Sequence, residues 1–447
     1  MQPKLRMTGS GALIGTAAVA LLATACTGTS AAPQANDDAT KDVTITFWHG
    51  WSAPSESAAI NANIKAFEAQ HPNIHVKAVG NINDDKIKQA LRAGGPNAPD
   101  VVSSFTTDNV GTFCSGGVLS DLKPFLDKSG VDLDKTFPKA LQDYTQFEGK
   151  RCTLPLLNDA YGLYYNKDAF KAAGITEPPK TLSEFDADAK KLTKLKGDTY
   201  SQLGFMPNFH GYESTTTHFA AQWNPTYFSS DGKSNLAADP AFAKMLSWQK
   251  NLTTELGGFA KLEKYRSTFG DEWSAKNPFQ TGQVAMALDG EWRAGFIDDA
   301  NVDLEYGVAP FPVPDDQADT YGKGYLSGTI IGIASTSQKQ NAAWELVKYM
   351  TTDTDAVVNF ANAIHNVPST LDALKSPKLD ADPAFRTFLE ISGNPKSSTT
   401  PASPNGGAYQ LSLQDFGYAW ESGKAPELAA GLAKTDQQID KDLAQVK

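Results

Sequence analysis

Three cysteines in 447 residues leave little room for metal or redox chemistry. Cys114 and Cys152 stand too far apart for a C-x-x-C motif, and six histidines supply no second cluster. His71 and His75 are four apart, but Pro72 interrupts them at a helix end, so a metal site there is not expected. Basic residues are also in deficit, with 40 Lys and Arg against 51 Asp and Glu and a formal charge of −11. Without Lys4 and Arg6 the balance is 38 against 51, or −13. A nucleic-acid partner, which needs basic surface, is therefore not expected. No stretch after the first 25 residues approaches the eighteen or so apolar residues of a spanning helix. G-x-S-x-G, H-E-x-x-H and phosphate-loop motifs are missing too.

What is present begins at the amino terminus. Lys4 and Arg6 precede an uncharged run from Met7 to Ala25, closed by Leu22-Ala23-Thr24-Ala25-Cys26. This is the pattern of an export signal over residues 1–25. The Cys after small residues resembles a bacterial lipobox, which implies acylation of Cys26 and a lipid anchor. The alternative is a secretory cut near Ala25 that leaves a free thiol. Residues 26–42 read as a flexible tether rich in Ala, Thr, Ser, Asp and Pro. In an exported protein Cys114 and Cys152 suggest one disulfide, with two buried free thiols as the other possibility.

After the tether, strands and helices alternate. Val43-Thr44-Ile45-Thr46-Phe47-Trp48 is a strand signal, and Ile60, Ile64 and Phe67 recur at helical spacing. Pro99-Asp100-Val101-Val102 begins another strand, and Thr181-Leu182-Ser183-Glu184 is a capping box. Helical segments after Ala361 are expected to be broken by Pro368, Pro377, Pro383 and Pro395. The order argues for an α/β fold, and the length for two lobes.

Several segments in sequence resemble the extracellular solute-binding proteins of ABC importers, the group that includes the maltose-binding protein. They are Ile45–Trp48, Pro99–Val101, Gly117–Pro124, Leu163–Gly174, Phe279–Met286 with Gly290-Glu291-Trp292, and Tyr306–Pro312. The resemblance implies a two-lobed α/β fold of periplasmic-binding-protein type, a hinge crossed three times, and a ligand in the cleft between lobes. Residues 43–157 with 306–355 would form lobe 1, and 160–303 with 356–447 lobe 2. Crossings are expected near Leu157–Gly162, Asp303–Val308 and Asp353–Phe360.

A sugar ligand needs aromatic platforms for its C–H faces and planar polar groups for its hydroxyls. His49 and Trp51 follow the first strand, where open α/β sheets place ligands, and Trp48 stands beside them as core or cleft. The resemblance adds Asp108, Asp159, Tyr212, Glu213, Trp223, Glu291, Trp292, Tyr325, Asn366 and Tyr409. Trp273 is a further platform candidate, and Arg293 beside Trp292 could add a polar contact. The function expected is capture of a mono- or oligosaccharide and delivery to a permease. The protein would be a monomer anchored on the extracellular face of the cytoplasmic membrane, without cofactor or metal. The competing readings are a glycoside hydrolase built on Asp289 with Glu291 or Asp271 with Glu272, a rigid lectin, and a receptor for a glycerol phosphate.

Overall fold

A computed structural model describes residues 41–52, 54–95, 97–207, 213–425 and 427–446. The signal segment, Cys26, most of the tether and Tyr212 lie outside the described residues. Among the described residues twelve strands follow one another: β1 (Val43–Trp48), β2 (Ile74–Val79), β3 (Val101–Ser104), β4 (Leu154–Pro155), β5 (Leu157–Asn166), β6 (Lys194–Lys196), β7 (Thr199–Phe205), β8 (Val284–Gly290), β9 (Tyr306–Ala309), β10 (Leu326–Ser327), β11 (Ile330–Ile333) and β12 (Val367–Pro368).

They form two sheets. The first has the order β2-β1-β3-β11-β4, with β1 parallel to both β2 and β3 and with β11 antiparallel. The second is built around β5, which pairs with β8, β9, β10 and β12, and β7 and β6 extend it beyond β8. Helices cover both sheets, as alternating elements require. The first lobe buries Ile45, Phe47, Phe67, Val101 and Ile331. The second packs Phe185, Phe205, Phe219 and Phe311 ring against ring at 4.9–6.1 Å. A disulfide joins Cys114 to Cys152 within the first lobe.

Local signals explain the element ends. Thr181 and Glu184 form the capping box of the helix Leu182–Leu192. Gly174 closes the helix Lys167–Ala173 in the left-handed region. Pro383 does not break a helix. It opens the helix Pro383–Gly393, where its missing N–H costs nothing and Asp382 caps the turn.

The chain crosses between sheets three times. The first crossing is at Leu156, between β4 and β5. The second is at Gly328 and Thr329, between β10 and β11, and Leu156 N–H donates to Thr329 O at 2.8 Å. This corrects the expectation near Asp303–Val308. β9 pairs with β5 from Leu163↔Ala309 to Asn166↔Tyr306, so residues 306–327 stay with the second sheet. The third crossing follows the helix Thr354–Ile364, which still packs on the first lobe through Phe360 and Trp51. The chain turns at His365, and β12 then pairs with Asn158 and Leu157. It therefore falls a few residues after Asp353–Phe360. At Gly328 a Cβ would meet Leu157 O at 2.3 Å, so only glycine lets the crossing strands approach this closely.

Candidate functional site

A cavity of about 1240 Å³ opens between the lobes, at the end of β3 where parallel strands of an open sheet point their carboxyl ends. Its first-lobe wall is the segment Phe105 to Thr112. Side chains fix that loop: Asn109 Nδ2 donates to Ser104 Oγ at 2.8 Å, and Asp108 N–H to Thr106 Oγ1 at 3.2 Å. Phe105 stands half exposed over the edge of Trp51, with centroids 5.2 Å apart.

The second-lobe wall grows from β5. Asp159 and Tyr161 share a strand face and both enter the cavity. β10, paired with β5 through Ser327↔Asp159, adds Ser327, and Tyr325 stands immediately before it. His218 lies 4.1 Å from Tyr161 and 4.8 Å from Tyr325, centroid to centroid, and closes an aromatic floor. Trp292 meets Tyr161 edge-on at 5.4 Å, and Trp273, half exposed, sits 6.5 Å from Trp292.

Arg293 braces this platform from below. Its buried guanidinium pairs with Asp289 at 2.6 Å and donates to Glu272 O and Gln280 Oε1. It lies 5.6 Å from the Trp273 ring and 5.2 Å from Phe296.

The floor is acidic and short of counter-charge, so burial moves its carboxyls upward. Burial, reinforced by Asp289 and Glu272, raises Glu213 to about 8. Burial raises Asp159 to about 6 against hydrogen bonds from Asn366 and Ser327, and it also raises Asp108. Burial lowers His218 to about 4, so the imidazole is neutral. A protonated carboxyl both donates and accepts, which suits a ligand bearing hydroxyls.

A strap from the second lobe, Pro401 to Gly407, closes over the cavity. Gln410 Nε2 donates to Asp108 Oδ1 at 2.7 Å, Thr112 Oγ1 donates to Pro404 O at 3.4 Å, and Ser403 backbone rests against Gly111. Tyr409 hydroxyl holds Pro401 O at 2.7 Å.

Of the residues singled out in the sequence, Asp108, Asp159, Glu213, Trp273, Trp292 and Tyr325 line this cavity. Six others do not. His49 and Trp51 are 3% and 4% exposed, because the turn after β2 folds over them through Ile82 N–H to His49 O and Asn81 N–H to Trp51 O. Trp223 packs on Trp248 in the second-lobe core. Tyr409 is buried and serves the strap. Glu291 and Asn366 belong to the hinge: Asn366 Nδ2 donates to Asp159 Oδ1 at 3.2 Å and Glu291 Oε1 at 2.6 Å, and Glu291 Oε2 accepts Ala160 N–H at 3.0 Å. Burial and the Asp159 charge push Glu291 well above the usual carboxylate range. Trp48 is half buried, with Lys86 Nζ 5.8 Å from its ring.

The sequence reading missed Phe105, Tyr161, His218 and Gln410. Tyr161 was within reach, since strand alternation places it on the face of Asp159. Asp289 and Glu291, one acid pair of the hydrolase reading, lie off the cavity, and Asp289 is neutralised by Arg293. Among the described residues no group of three His, Cys, Asp or Glu could hold a metal ion.

The family model for bacterial extracellular solute-binding proteins matches residues 51–357, well over half of the chain. The maltotriose-binding protein of Pyrococcus abyssi is 21% identical over 402 residues, covering 89% of this chain and 82% of that one. The maltooligosaccharide ABC transporter solute-binding lipoprotein of Streptococcus pneumoniae serotype 4 is 28% identical over 317 residues, covering 68% and 67%. Among solved structures, CpMnBP1 with mannotriose bound superposes with a TM-score of 0.72 at 26% identity, over 89% of this chain and 99% of that one.

Proposed function

We propose a sugar receptor, on the premise that the chain belongs to the bacterial extracellular solute-binding proteins. It captures an oligosaccharide between its lobes and delivers it to the permease of an ABC importer. The observation that carries this is the placing of exposed apolar surface. Of the five markedly exposed large apolar side chains among the described residues, Phe105, Trp273, Leu411 and Val446 line the cavity and only Leu195 lies elsewhere. Apolar side chains left in water on both walls of one acidic cleft suit a ligand with C–H faces and hydroxyl edges.

The roles follow from position. Trp292 and Trp273 offer platforms from the second lobe and Phe105 one from the first. Asp108, Asp159 and Glu213 take hydroxyls. A ligand touching both walls binds the closed form more strongly, so it drives closure. No bond is made or broken in the process. The protein works outside the cytoplasm, held to the membrane by acylated Cys26.

Lys88 and Arg92 at the rim favour a second reading, a phosphorylated polyol, though the floor beneath them is acidic. A thermal-shift screen of oligosaccharides, polyols and glycerol phosphates separates the two. Ligand at a hundredfold its Kd stabilises the folded state by about 2.7 kcal/mol. An oligosaccharide that raises the midpoint and is recovered uncut supports the sugar receptor, and a cut sugar supports a hydrolase. A rise with glycerol phosphate alone supports the second reading. Trp292→Ala is expected to fold and lose sugar binding, and unchanged affinity would remove the platform from the site.

A further inference from the structure

A second space between the lobes lies beyond the strap. It is a chamber of about 850 Å³, and a neck of about 140 Å³ stands between it and the main cavity. The neck shares Thr217 and Tyr325 with the main cavity, and Tyr227, Ser398 and Thr399 with the chamber. The strap lies between them: Pro401 and Ala402 line the chamber, Gly406 and Gly407 the main cavity, and Pro404 both. Through these shared residues the three compartments adjoin one another in series beside the strap.

The chamber repeats the construction of the main cavity. Each lobe gives it an aromatic side chain that is only half buried, Phe147 from the first and Phe228 from the second. Thr399 Oγ1 is buried at the junction of neck and chamber without a hydrogen-bond partner. A buried hydroxyl without a partner costs free energy unless something occupies the space beside it. Rings contributed by both lobes are what the main cavity's ligand would also meet, at Phe105 and Trp292.

We propose that the chamber is a subsite for the outer units of an oligosaccharide whose inner units lie in the main cavity and whose chain passes under the strap. The proposal rests on the sugar-receptor reading. The strap and every residue lining the neck belong to the second lobe, so parting the lobes frees the strap from Gly111 of the first but leaves the neck walled, and the outer units of the chain reach the chamber by threading it. The neck admits a single unbranched stretch, so the ligand is an extended chain longer than the main cavity alone needs.

The test is calorimetric titration with maltooligosaccharides and mannooligosaccharides of two to seven units, against wild type, Phe147→Ala and Phe228→Ala. Wild type is expected to tighten as the chain lengthens. Each variant is expected to weaken the longest ligand about 5- to 10-fold, the worth of one aromatic contact, and to leave the disaccharide within about twofold. Phe228 also supports Tyr409 beneath the strap, so Phe147, on the other lobe, is the independent check. Equal losses at every length, or none, would overturn the subsite and leave the receptor standing. So would a wild type that binds disaccharide and heptasaccharide alike. A wild type that binds no saccharide would overturn the receptor reading and the subsite together.

Discussion

Replacing Gly111 with alanine puts a methyl group where the strap's backbone already lies. The new Cβ would sit 2.0 Å from Ser403 O, 2.3 Å from its carbonyl carbon and 2.6 Å from its nitrogen. Ordinary contact is about 3.5 Å, so the strap must retreat by roughly 1.5 Å. That separation breaks the bond from Gln410 to Asp108, now 2.7 Å, and the longer one from Thr112 to Pro404. A hydrogen bond to a charged group contributes about 1.5–3 kcal/mol and a neutral one about 0.5–1.5 kcal/mol. Taking the lower part of both ranges, because burial raises the Asp108 carboxyl, the closed form loses about 2–3 kcal/mol. The open form loses nothing, and the helix Asn109–Ser115 gains up to about 1 kcal/mol from exchanging Gly for Ala. The expected result is a Kd raised about 30- to 150-fold, with the unliganded melting midpoint unchanged or slightly higher. Calorimetry with the best saccharide and thermal unfolding by circular dichroism read the two quantities. A variant that folds and binds within about twofold of wild type would refute the strap as part of the closed state. A fall in the unliganded midpoint as large as the loss of binding would show that Gly111 matters for folding instead.

Arg293→Met strips a buried partner from Asp289 and is expected to cost about 3–5 kcal/mol in urea unfolding, with Asp289→Asn added in the same chain recovering part of it. Glu421, far from the cleft and accepting a hydrogen bond from Thr253, is raised by burial to about 8, above its unfolded value of about 4.3. The folded state thus holds this proton more tightly, so its contribution is full below about pH 4 and lost as pH rises through about 8. Glu421→Gln should flatten the decline in stability between about pH 5 and 8 and leave sugar affinity alone, and an unchanged slope would exclude this group as its source. Exchanging Cys114 and Cys152 for alanine frees a loop of sequence separation 38 and is expected to cost about 4 kcal/mol, measured by denaturant unfolding.

Local chemistry was legible in the sequence wherever one element decides it. The alternation in Val43–Trp48 and the capping box at Thr181 each act over a few residues, and each appears where expected. Position between lobes was harder to read. The segment Tyr306–Ala309 has the pattern of a strand, but a pattern does not say which sheet takes it, and β5 is long enough to pair with four partners. His49 and Trp51 stand in the correct loop for a site, yet the turn beyond β2 covers them, and that turn lies about thirty residues away. Phe105 is one aromatic in a Ser- and Thr-rich run, and only its exposure over Trp51 marks it. The strap reads as a Pro- and Gly-rich loop, and its resting place on Gly111 is set by tertiary structure alone.

The disulfide has a mechanical meaning beyond stability. Cys114 lies in the helix on which the strap comes to rest, one turn from Gly111, while Cys152 lies four residues before Leu156, where the chain first leaves the lobe. Lys150 Nζ holds Cys114 O at 3.0 Å and ties the same two pieces a second time. Landing pad and pivot root are thus a single covalent part. A load placed on the pad by the descending strap travels through sulfur to the pivot instead of being absorbed as local bending of a seven-residue helix.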